Sequence, residues 1–145
     1  RQPVVKKGGT IIVTHPCYDE FDPEHHPSYI EFFNRCLPQT RDSHKLAHMW
    51  EREFAENPNY IEMFRFGNAY HGVHPFYMWY WAENGQRHVG QVIVVGPENA
   101  HVPERLGWAS ARTMDEALEM ARDIHGPSPE ITMMHHPPYV VADVL

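Results

Sequence analysis

The chain has 145 residues, is 42% hydrophobic and carries a net charge of −7. That length suits one domain with a real core, and the negative balance excludes the basic face that a nucleic-acid partner needs. No apolar run approaches the ~20 residues of a membrane-spanning helix, and no secretory leader is visible.

Two cysteines, Cys17 and Cys36, lack C-x-x-C spacing. They fit neither a disulfide scaffold nor a zinc ribbon, and point to free thiols in a reducing, cytoplasmic setting. The opening Arg1-Gln2-Pro3 reads as the start of a piece of a longer protein.

In chain order, Lys6-Lys7-Gly8-Gly9 is a turn signal. Thr10-Ile11-Ile12-Val13-Thr14 follows as a short buried strand, and His15-Pro16 stops it because proline has no amide for a ladder. Residues 19–27 are acidic and turn-rich. The spacing predicts a helix over residues 28–37 with Tyr29, Ile30, Phe33 and Leu37 inward, ended by Pro38. A second helix over residues 43–56 is capped by Asp42 and carries the stripe Leu46, Ala47, Trp50, Phe54. Residues 60–66 fit a short helix or a strand. His74-Pro75 opens another helix, since proline is tolerated in the first turn, and Gly85 ends it.

Gln91–Val95 is a β-branched run that reads as a strand buried on both faces. Residues 98–112 resemble a loop crossing the end of the sheet, with a short edge strand at 106–109. Thr113-Met114-Asp115-Glu116 has the form of a capping box. Met114, Ala117, Leu118, Ala121 and Ile124 then predict the helix face that packs on a sheet, and Gly126-Pro127 ends it. Residues 131–134 read as a second buried strand, stopped by His135-His136-Pro137-Pro138.

Strand, capped helix, strand is a βαβ unit with a right-handed crossover. The expected fold is α/β: a mainly parallel open sheet of three to five strands with flanking helices. It is Rossmann-like but without the dinucleotide fingerprint, since Gly8-Gly9 precedes a strand instead of following one.

In open α/β sheets ligands bind beyond the carboxyl ends of the strands. If Thr10–Thr14 and 131–134 are parallel, His15 and His135 leave the sheet at one edge and border one pocket. Cys17, Tyr18 and His136 would lie near them. The pair His71 and His74 has a spacing that lets two imidazoles share a metal on a helix, but Gly72 and Pro75 break a helix there, leaving surface or capping roles. His25-His26 follows Asp19, Glu20, Asp22 and Glu24, which could serve zinc or nickel or form a solvated acidic loop. His15 with Cys17 could be a nucleophile couple or the rim of a cleft. Residues 76–81 hold five aromatics, too many for one helix face, so one or two face a ligand or partner. There is no G-x-S-x-G and no H-E-x-x-H.

Several of these segments carry a resemblance. Val4-Val5-Lys6-Lys7-Gly8-Gly9-Thr10-Ile11-Ile12-Val13 is similar to the V-K-x-G-G-T-I-I opening of the C-terminal domain in the nickel-pincer lactate racemase family. Val92 to Val95, Leu106-Gly107-Trp108, the Thr113 to Ala121 helix and residues 131–136 follow that family's closing order. Residues 18–88 resemble it only loosely, and the family's Trp ahead of the helix has no counterpart near His74-Pro75-Phe76, which leaves the hydroxy acid open.

The resemblance implies the C-terminal half of a two-domain enzyme that epimerises a 2-hydroxy acid. The nickel-pincer nucleotide and the catalytic histidines would belong to its own N-terminal domain, as partner, and the family's Q-x-x-K contacts would fall upstream of Arg1. This chain would line the cleft, with His15, Tyr18, His71, His74, Tyr77 and His135 as substrate contacts, and would be inactive alone. Two other readings stand beside it: a His-rich metal-binding module, and a non-enzymatic interaction domain that docks through residues 76–81.

Overall fold

The structure, a computed structural model, describes residues 5–134. Three parallel strands lie in the order β1 (Thr10–Thr14), β2 (Gln91–Val95), β3 (Ala109–Ala111). Thr10 pairs with Gln91 and Thr14 with Val95, while Ile93 pairs with Ala109. The expected mainly parallel sheet with flanking helices is therefore present, at three strands among the described residues.

Between β1 and β2 run four helical segments. The first, α1, covers residues 27–36; it is α-helical over Pro27–Glu31 and widens to a π-helical turn over Phe32–Cys36. The second, α2, covers residues 43–56 and has a similar wide turn at Ala47–Glu51. Asp42 caps it as expected, its carboxylate accepting the Lys45 amide at 2.9 Å. Asn57 both ends α2 and caps α3 (Pro58–Phe66), accepting the amides of Asn59 and Tyr60. The stretch that fits helix or strand is thus a helix, and the cap decides it. The fourth, α4, is His74–Gln86.

These helices share one core: Phe32, Phe33, Cys36 and Leu37 of the first, Leu46, Trp50 and Phe54 of the second, Phe76 and Trp79 of the fourth. Phe76 is fully buried, with its ring edge-on to Phe32 at 4.8 Å and to Phe54 at 5.0 Å. Tyr29 and Ile30, expected inward, are only half-buried. The π turn moves Phe32 and Cys36 into the core in their place.

After β2 comes a short helix, α5 (His101–Leu106), closed by Gly107 in the left-handed region, φ 83°. A side chain there would also press on the Arg41 guanidinium, 3.0 Å from the position of a Cβ. This helix takes up residues expected as loop and moves the edge strand to Ala109–Ala111. The last helix, α6, is Met114–His125. Thr113 accepts the Glu116 amide at 3.2 Å, while the Glu116 carboxylate reaches back to the Arg112 amide at 2.8 Å, one residue beyond the usual box partner. Ala117 and Ala121 are buried and Met120 packs beside them on Ile12, Ile93, Val95 and Ala111. Met114 and Ile124, expected on that face, are exposed.

One expected strand is not formed. Residues 131–134 make no ladder and are exposed, Ile131 by 60%. The βαβ unit is instead β2–α5–β3, because Ala109–Ala111 occupies the place beside β2. His135 and His136 lie outside the described residues, so the pairing of His15 with His135 across one pocket does too.

Candidate functional site

Two groups of candidate residues are separated by the fold. At the carboxyl edge of the sheet, the His15 amide donates to the Val95 carbonyl at 3.3 Å, extending the β1–β2 ladder by one residue. The His15 ring turns onto its own loop: Nδ1 accepts the Cys17 amide at 2.9 Å. That bond holds Cys17 at φ 45°, an uncommon conformation for a side-chain-bearing residue. The Cys17 thiol is buried, and burial pushes its pKa up. A thiol to be used as a nucleophile needs the opposite shift, so the His15–Cys17 pair reads as a turn. Tyr18 beside it is exposed.

The second group is a cluster of four rings from two helix openings distant in sequence, His26 and Tyr29 at the first and Tyr70 and His74 at the second. Tyr29 Oη lies 2.7 Å from His74 Nδ1. Tyr70 stacks on His74 with centroids 4.5 Å apart and planes within 10°, and His26 stacks on Tyr70 at 4.9 Å. His26 also meets the edge of Tyr29 at 5.2 Å. The loops are tied by main chain as well, the Tyr70 amide donating to the His25 carbonyl at 2.9 Å.

The local sequence explains the meeting. His26-Pro27 and His74-Pro75 each open a helix with proline in the first turn. Gly72 lets the second loop descend onto α2, where a Cβ would sit 2.5 Å from the Phe54 carbonyl oxygen. The His74 amide closes a turn onto the His71 carbonyl at 2.8 Å.

Burial first, and then His26, hold His74 below the ordinary imidazole range, so it is neutral at pH 7. Burial likewise raises the Tyr29 phenol, with Tyr70 adding to it. With Nδ1 engaged by Tyr29, Nε2 is the ring nitrogen left to meet a ligand. Nε2 carries the proton and donates when Nδ1 accepts the phenol's hydrogen bond, and it accepts when Nδ1 carries the proton and donates to the phenol oxygen. His71 faces elsewhere, its ring against Phe64 at 5.1 Å and its Nδ1 3.4 Å from the Val73 amide. The expected His71–His74 pair is thus a turn with one member in the ring cluster.

His25 pairs with Asp22 at 2.6 Å; the carboxylate raises the imidazole, and the His25 amide and ring lower the carboxyl. Among the described residues, no three His, Cys, Asp or Glu side chains converge as a metal site.

Tyr77 is exposed on the outer face of α4, and Met78 and Trp81 follow on the same helix, Trp81 74% exposed. The rest of the aromatic run turns inward: Phe76 fills the core, and Trp79 is buried with its indole N–H donating to the Arg41 carbonyl at 2.8 Å.

Of the six expected contacts, the fold brings His74 to a built cluster, leaves Tyr77 on the same helix, sends His15 and Tyr18 to the sheet edge and turns His71 aside, while His135 lies outside the described residues. Tyr29 and Tyr70 were not expected there. The repeated His-Pro helix opening is the sequence signal that points to two of the four rings. Comparison with protein-family models, with curated proteins and with solved structures gives no match to this chain.

Proposed function

We propose that this chain is the cleft-lining domain of a racemase or epimerase acting on a 2-hydroxy acid, similar in role to the C-terminal domain of the nickel-pincer lactate racemase family. The observation that carries this reading is the placement of the segments that resemble the family. Thr10 to Val13, Val92 to Val95 and Thr113 to Ala121 pack as one unit, β1 beside β2 and α6 across them, while Leu106 to Trp108 leads into β3 beside β2. Segments spread over a hundred residues of sequence therefore serve one structural purpose.

The ring cluster supplies the contact surface the reading needs. A 2-hydroxy acid offers carboxylate oxygens and one hydroxyl. A neutral His74, oriented by Tyr29, can donate to or accept from either through Nε2. Tyr70 and Tyr77 add apolar ring faces with phenol groups at their rims. The nickel-pincer nucleotide, which would supply hydride transfer in the assembled enzyme, is assigned to the other domain. Among the described residues no three His, Cys, Asp or Glu side chains converge.

The test is interconversion of the two enantiomers of a panel of 2-hydroxy acids, followed by chiral chromatography with the protein encoded by the whole reading frame. Racemisation by the whole protein, none by the isolated 145 residues, and a raised KM in His74→Ala is the expected set. Turnover by the isolated chain, or none by the whole protein with any hydroxy acid, overturns the reading.

The exposed stripe Tyr77, Met78, Trp81 also favours a second reading, a non-enzymatic docking domain. Trp81→Ala tests it by size-exclusion with the partner half. Trp79→Ala would not, because that side chain is core.

A further inference from the structure

Between α1, the link 37–42 and α5 lies a cavity of about 400 Å³, lined by Gln39, Thr40, Arg41, His101, Glu104 and Arg105 among others. None of the residues lining it belongs to the ring cluster. Two arginines come together in its wall, each held by the fold.

Arg41 donates through Nη1 to the Glu104 carbonyl at 3.3 Å, with the Arg105 carbonyl 3.5 Å away in the same last turn of α5. Gly107 makes room for this guanidinium, since a Cβ there would sit 3.0 Å from Arg41 Nε. Arg105 donates through Nη1 to the Phe33 carbonyl at 3.0 Å, and its Cζ lies 5.3 Å from the centre of the Phe33 ring. His101 meets the same ring edge-on at 5.6 Å. Phe33 is buried in the helical core, so it is a fixed support for both.

Taken singly, these bonds tie α1, the link and α5 together. Their acceptors are carbonyls, however, and a carbonyl takes one N–H of the five that a guanidinium carries and leaves its charge in place. Glu104, the one carboxylate lining the cavity, forms an ion pair with neither arginine. Thr40 Oγ1 accepts the Asp42 amide at 3.2 Å, which leaves its hydroxyl proton to be donated. In a chain of net charge −7, two cations and a hydroxyl donor thus line one small space.

Two guanidinium forks match an oxyanion that has two charges and three accepting oxygens. A carboxylate, with one charge and two oxygens, would leave donors unmet. The volume falls within the roughly 300–1,000 Å³ of small-molecule sites, so a polar group carried on the phosphate has room. Side chains already held in place also lower the ordering cost of binding.

We propose that this cavity binds a small phosphate monoester, with Arg41 and Arg105 holding the phosphate. The inference is independent of the proposed activity. It is tested on the whole 145-residue chain by NMR titration with glycerol 3-phosphate, with acetate in parallel. Expected are saturable shifts at the Arg41 and Arg105 Nε–H groups and the Thr40 amide, with a Kd of about 1 mM or tighter. Acetate should bind at least roughly tenfold more weakly, and Arg105→Gln should weaken the phosphate ester by a similar factor. Because Arg105 also ties α5 to α1, Glu104→Gln is the second variant. That side chain is exposed, and removing its charge from the cavity wall should tighten binding severalfold. The proposal is overturned by any of four results: no saturation with the native chain, acetate binding as tightly as the ester, Arg105→Gln binding unchanged, or Glu104→Gln binding no tighter. Tighter binding of a phosphoserine peptide than of glycerol 3-phosphate overturns it as well, by assigning the cavity to a protein partner.

Discussion

Tyr29 Oη and His74 Nδ1, 45 residues apart, lie 2.7 Å from each other and join the first and last helices between β1 and β2. The bond fixes which imidazole nitrogen faces outward, so it sets what the cluster can recognise. Tyr29→Phe removes the hydroxyl and leaves Nδ1 without that partner. A loss of about 1 kcal/mol is expected in urea denaturation, together with a shift in the His74 tautomer balance read from its ¹⁵N resonances. An unchanged tautomer signal would show that Tyr29 does not orient the ring.

The pH response has two opposed parts. His74 is held below its ordinary value by burial and by His26, so as pH falls the unfolded chain gains a proton there before the folded one. Stability from this group is lost as pH drops through the unfolded value and levels off below the folded one. Asp22 raises His25, whose contribution is complete below the unfolded value and lost as pH climbs through the folded one. Between about pH 7.5 and about pH 5.5, His74→Gln should flatten the fall in Tm and His25→Gln should steepen it. Parallel Tm curves for the wild type and both variants would contradict this.

Phe76 and Trp81 separate core from surface within one helix. Phe76→Ala empties the junction of Phe32 and Phe54 and should cost about 3–5 kcal/mol. Trp81→Ala, at 74% exposure, should stay within about 0.5 kcal/mol of the wild type. Denaturation midpoints of the two variants check the pair.

Both thiols are expected to be sluggish. Burial pushes Cys36 up to about 12, only partly opposed by Arg35, and raises Cys17 in the same direction. Native protein at neutral pH should take up iodoacetamide slowly at Cys17, more slowly still at Cys36, and quickly at both in urea. Rapid native labelling of Cys36 would mean that the α1 core opens far more often than its burial implies.

The cap of α6 is a local device with a local cost. Thr113→Ala removes the oxygen that accepts the Glu116 amide and should cost about 1 kcal/mol. Thr113→Ser should restore most of it, as read from the same unfolding curves.

What the sequence determined by itself was the local structure. Asp42, Thr113 and the Pro75 opening were legible because caps and first-turn prolines act within four residues; Pro27 and Pro58, expected in turns, also open helices. Thr10–Thr14 and Gln91–Val95 were legible as runs of β-branched side chains; of the burial expected for both, only Ile93, Val94 and Val95 show it, because Thr10–Thr14 is the outer strand of the three described. Their parallel pairing followed from the crossover length. Tertiary structure decided the rest. Residues 131–134 are as β-prone as Ala109–Ala111, yet the short stretch is the strand, because α5 and Gly107 deliver it to the free side of β2. Trp79 and Trp81 are alike in sequence, and only packing against α2 and Arg41 turns one inward. The ring cluster depends on a contact across 45 residues that no periodicity encodes: two loops meet because the shared core of α1, α2 and α4 brings their helix openings together.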